Sequence, residues 1–167
     1  MSIRDERVFK IIDKIRAHYQ NNINNRFIRK AILMMKVPRG TWDALARLTE
    51  KTDLYKIQGY PYNELYEQIH AAATFVHHAR IEVVPRLRSL TASGADTLFS
   101  RQAAADSSDT VLLQMAIENF PANLGVFADM INELYVLAVE LDKQDHPQGR
   151  AVHERMPELK ELGKLLI

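Results

Sequence analysis

Residues 61–94 read PYNELYEQIHAAATFVHHARIEVVPRLRSLTASG, and the reading of this stretch decides the fold. Leu65, Ile69, Ala72, Val76, Ala79, Val83, Leu87 and Leu90 recur at spacings of four and three, which is one face of a helix. A half-buried strand would alternate at a period of two, and no such run occurs. Pro85 falls inside the pattern. Its ring removes one backbone donor and crowds the carbonyl of Ile81, so a kink is predicted there.

Working outward, the same period recurs. Val8, Ile12, Ile15 and Tyr19 mark a first helix from about Ile3, with Ser2 as N-cap and Asp5 three residues on. The asparagines of QNNINN (20–25) interrupt it. Phe27, Ala31, Ile32 and Met35 mark a second helix, stopped by VPRG (37–40), and Thr41 is placed to cap a third that buries Trp42, Leu45 and Leu48. Residues 94–109 form a soft linker, after which Ser107 or Ser108 caps a helix reaching Asn119 or Phe120. Pro121 suits a first turn, so a new helix is expected there, with Leu124, Phe127, Ile131, Leu134, Ala138 and Leu141 inward. DKQDHPQG (142–149) reads as a loop, and an amphipathic tail spans 150–167. Matching stripes with short connections predict an all-α, single-domain helical bundle over 1–167. It would have about six to eight helices around three or four long antiparallel ones.

The 47% hydrophobic and 26% charged content belongs to a globular chain and excludes a disordered one. The absence of cysteine excludes disulfides and thiolate metal sites. MSIRDERVFK carries charge from its fourth residue, with no apolar core of a secretory signal, and Phe120–Leu141 carries three carboxylates, costly in lipid. A cytoplasmic setting is the expectation. The net charge of +1 conceals an asymmetry: residues 1–60 carry +7 and residues 61–167 carry −6. A basic front and an acidic back suit an anionic partner, an internal electrostatic match or head-to-tail self-association.

The histidines of 66–82 raise a metal question. Glu67 and His70 share a face, as do His78 and Glu82. Di-iron bundles take a Glu-x-x-His pair from each of two helices, and EQIH (67–70) supplies one without a second. His70 and His77 stand roughly 10 Å apart along the axis, too far to share an ion. The preferred reading makes His70, His77 and His78 polar flanks of the stripe. Glu67 and His70 remain the weak metal candidates, and no cofactor is inferred.

Arg4, Arg7, Lys14, Arg26, Arg29, Lys30, Lys36 and Arg39 make up the basic front. On a helical hairpin they would form one surface for a polyanion or an acidic protein partner. RGTWDALARLTEKTDLYKI (39–57) has a helix-turn-helix flavour at Leu45-Ala46, but Glu50 replaces the turn glycine and Lys51 an apolar residue. No phosphate-cradling loop, dinucleotide fingerprint or nucleophile elbow occurs. The tail, MPELKELGKLLI (156–167), can dock at home or present Leu159, Leu162 and Leu165 to a partner's groove. The sequence therefore favours a non-enzymatic protein–protein interaction module or a self-associating component. A nucleic-acid-binding domain comes second and a metal-binding bundle third. Neither a membrane span nor a small-molecule ligand is expected.

Overall fold

The computed structural model describes residues 2–92, 107–147 and 161–167. These residues form an all-α bundle with one short strand pair. At its centre lies α5, Tyr62–His78, in which every residue from Ala71 to Val76 is buried. One apolar stripe would bury a helix on one side only. The run AAATFV lets neighbours close from all sides, because three alanines admit close backbone approach. Packed around α5 are α3 (Thr41–Thr49), α7 (Ser107–Asp145) and α8 (Leu162–Leu166). α1 (Glu6–Ile23) lies against both α7 and α3. α2 (Arg26–Leu33) lies against α1, α7 and α6 (Val84–Ala92). The expected stripe of 61–94 is buried from Leu65 through Leu87.

Pro85 acts one turn earlier than a simple kink would. Ala79–Val83 widens into a π-helical turn in which the Val84 N–H bonds the Ala79 carbonyl. The wider turn accommodates the missing donor while the axis continues into α6.

Pro121 starts no new helix. It sits inside the continuous 39-residue α7. An interior proline costs on the order of 3 kcal/mol. Leu113, Ala116 and Phe120 before it and Leu124, Phe127 and Ile131 after it are all buried in the same core, and that burial outweighs the lost bond. α7 also runs on through Asp145, into what reads as a loop in sequence.

The amino terminus differs as well. Ser2–Ile3 is extended and pairs antiparallel with Tyr60–Pro61, and Asp5, not Ser2, caps α1. Ile3 is buried by this pairing. Gly59, at φ 85°, leaves the chain room: a Cβ there would stand 2.6 Å from the Ser2 Cβ. Asn25 caps α2 through its side chain, whereas α3 is capped by Gly40 at φ 89° and Thr41 is buried. A six-residue α4, Asp53–Gln58, links α3 to the strand pair. Of the linker 94–109, only 107–109 lie within the described residues, as the start of α7.

Candidate functional site

The histidines of α5 meet neighbouring groups along the helix and the π-turn that follows it. His78 Nδ1 meets Glu82 Oε2 at 2.6 Å, as their four-residue spacing predicts. Burial pushes the Glu82 carboxyl up. The Lys36 backbone N–H at 3.0 Å and His78 outweigh that and hold it below its ordinary range. Glu67 is exposed and takes Arg47 at 3.5 Å, and His70 is half-buried with its carbonyl bonded by Thr74. The His77 and His78 rings meet edge to face. Among the described residues no cluster of three or more histidines and carboxylates forms around them.

The basic front is divided rather than gathered. Arg4 donates to the Ile57 and Gln58 carbonyls, closing the end of α4. Arg7 grips Asp5 through two nitrogens. The Arg7 side chain, and then its backbone N–H, hold the Asp5 carboxyl below the usual carboxylate range. Arg16 reaches Asp53, Lys56 reaches Asp13, and Arg47 reaches Asp43 and Glu67. Four cations of residues 1–60, of which Arg7 alone belongs to the eight of the basic front, are thus paired with carboxylates. Arg29, Lys30, Lys36 and Arg39 are exposed on α2 and the loop after it, and Arg26 lies over the Phe27 ring. Roughly 25 Å of α1 separates Arg7 from Arg26, where that group begins.

One cluster was hidden in the sequence by its loop-like surroundings. Asp142 is buried at the end of α7. Its Oδ2 accepts from the Tyr66 hydroxyl at 2.7 Å, and its Oδ1 lies 2.7 Å from His146 Nδ1. Tyr62 donates to Asp145 and packs edge-on against the His146 ring. The signal was present as Asp-x-x-x-His at 142–146, the spacing that also joins His78 to Glu82. A buried carboxylate needs such donors, and this one ties the start of α5 to the end of α7.

The described part of the tail docks on the bundle. Leu162 is buried against the bundle and Leu165 is packed beside it, while Leu159 lies outside the described residues. Arg80 on the π-turn donates to the Leu166 carbonyl, pinning α8 in place.

A groove lies between α1 and α7, which run antiparallel. His18 bonds the Asn123 carbonyl at 2.8 Å, Asn22 meets Asn123, and Arg7 lies level with Glu140. The groove between them measures about 670 Å³. Arg7, Lys10 and Lys14 line the α1 wall; Asp129, Asn132, Glu133, Val136 and Glu140 line the α7 wall; Ile11 and Leu137 form the floor. Asp5, first through its hydrogen bond, raises the pKa of Arg7, and Glu140 adds to this across the groove. Among the described residues no ion pair joins the two walls. Three cations and three carboxylates face each other through solvent.

No family model, curated protein or solved structure matches the chain. Among the described residues no helix is long and apolar enough to cross a membrane.

Proposed function

We propose that this chain is a non-enzymatic helical protein–protein interaction module, an adaptor, regulator or oligomeric component working in the cytoplasm. The α1/α7 groove carries this reading. It presents opposite charges on two rigid helices, over an apolar floor, with neither wall neutralised by the other. The exposed side of α7 adds Val126 and Val136, each about half exposed, in line with Asp129 and Glu133. Apolar residues flanked by unpaired charges suit a partner that supplies both burial and complementary charge. Two polar groups elsewhere have structural work: Asp142 joins two helices and Glu67 holds Arg47.

A second reading rests on the other patch. Arg29, Lys30, Lys36 and Arg39 are exposed, and among the described residues none forms an ion pair with a carboxylate. Such a patch suits a nucleic-acid backbone. Affinity capture of the tagged chain from its native lysate, with and without nuclease, separates the two. A stoichiometric protein that survives nuclease, or the chain itself recovered as its own partner, supports the interaction module. Recovery of partners only while nucleic acid is intact transfers the function to the α2 patch.

A further inference from the structure

We infer that the α1/α7 groove is a self-complementary interface, and that its occupant is a second copy of this chain related by a twofold axis parallel to the two helices. The inference rests on the interaction-module reading and names its partner. The argument is one of symmetry. Two copies can meet face to face over this groove about either of two in-plane twofold axes. An axis across the helices sets α1 over the partner's α1, placing Arg7, Lys10 and Lys14 against the same three cations. An axis along the helices sets α1 over the partner's α7 and keeps every residue at its own height. Because α1 and α7 are antiparallel, with Arg7 level with Glu140 in one chain, Arg7 then stands over Glu140 of the second copy. Lys14, two turns further along α1, stands over the stretch of Asp129 and Glu133.

One arrangement is repulsive throughout and the other complementary throughout. A twofold contact also makes every pairing twice, once from each copy, because what α1 gives to one copy it receives back on α7. The apolar residues favour the same closure. Val136 is 55% exposed and lies beside Leu137 and Ile11 at the groove floor, so a second copy would bring two such surfaces together across the axis. The uneven distribution of charge between the two ends of the sequence then has a use: it builds a cationic helix and an acidic helix side by side. Arg7 already holds Asp5, but among the described residues Lys10, Lys14, Asp129 and Glu133 line the groove with no ion pair across it, which leaves them available.

The test is a charge exchange in trans, read by sedimentation velocity on the full chain across a wide concentration range. The wild-type chain is expected to sediment as a dimer that dissociates as salt is added, since exposed charge pairs are screened. A variant with Lys10→Glu and Lys14→Glu has two acidic walls. A second variant, with Asp129→Lys and Glu133→Lys, has two basic walls. Each alone is expected to lose the dimer, and an equimolar mixture of the two to regain it. Restoration in trans requires both variants to be folded, and it cannot arise from repair within one chain. A wild-type chain that stays monomeric throughout overturns the inference, as does a dimer that both variants retain unchanged. If a variant fails to fold, the salt response of the wild-type dimer decides, together with loss of the dimer in the milder Lys14→Ala. A monomer that nevertheless captures a different protein after nuclease treatment would refute self-association while leaving the interaction module standing.

Discussion

α7 meets the helices beside it in two different ways. At its carboxyl-terminal end Asp142 is buried and bonded to Tyr66 and His146, and the adjacent Asp145 takes Tyr62. Two and three turns earlier, Glu133 and Asp129 are exposed and face lysines they do not touch. The chemistry is similar, with carboxylates opposite donors, but the setting inverts its meaning. A buried carboxylate must be satisfied inside the fold, so its partners are structural. An exposed one is satisfied by water and can exchange that water for another protein at little cost. Burial, more than residue type, separates the part of α7 that closes the molecule from the part that faces solvent.

That contrast can be broken at several points. The largest effect belongs to the core that joins the two regions: Phe127 packs against Tyr19 and Phe75, and Phe127→Ala is expected to cost about 4 kcal/mol in urea unfolding. A cost below about 1 kcal/mol would mean that α7 is not held as a single beam. Next comes Asp142→Ala, which takes the shorter bond from the buried Tyr66 hydroxyl, leaving it the Ala138 carbonyl at 3.3 Å, and removes the partner of His146. A loss of about 3 kcal/mol is expected because two bonds to the carboxylate go together, with Tyr66→Phe losing about 2 kcal/mol because the buried Asp142 then keeps His146 but loses one donor. Equal losses from the two variants would show that the clasp does not work through a buried acceptor.

The groove should behave in the opposite manner. Glu133→Ala and Lys14→Ala are each expected to change the unfolding free energy of the isolated chain by less than about 0.5 kcal/mol. A larger loss at either position would move that residue from the open class to the structural one. The smallest effect concerns pH. The folded pKa of Glu82 lies below its unfolded value, so its contribution is present above the ordinary carboxylate range and fades as pH falls through the folded value. Thermal unfolding of wild type and Glu82→Gln should therefore converge on acidification. A gap that stays constant down to strongly acidic pH would contradict the assignment.

Much of the architecture was written in local periodicity. The rhythm from Leu65 to Leu87 marks a buried stripe without help from the rest of the chain, because 3.6-residue spacing is a property of neighbours. What escaped is tertiary. Ser2–Ile3 pairs with Tyr60–Pro61 across more than fifty residues, and two-residue strands carry no period to read. Pro121 looks like a boundary because proline's local preference is strong. Only the shared core on both sides of it shows why α7 continues. The candidate cations were legible one by one. Which of them find partners within the fold, as Arg4 and Arg7 do, was not, since that depends on which helix each one faces. The groove shares this limit: Lys14 and Glu133 acquire a joint meaning only when α1 and α7 lie antiparallel.

The most direct test of the central claim places a photo-crosslinking residue at Val136 and, in a separate chain, at Lys30, and irradiates both in the native cell. The α1/α7 face as the contact surface predicts a discrete protein adduct from position 136, with the chain itself as the adduct if the twofold holds. Position 30 should give no adduct of comparable yield. Nucleic-acid adducts from position 30, with none of any kind from position 136, would contradict the account.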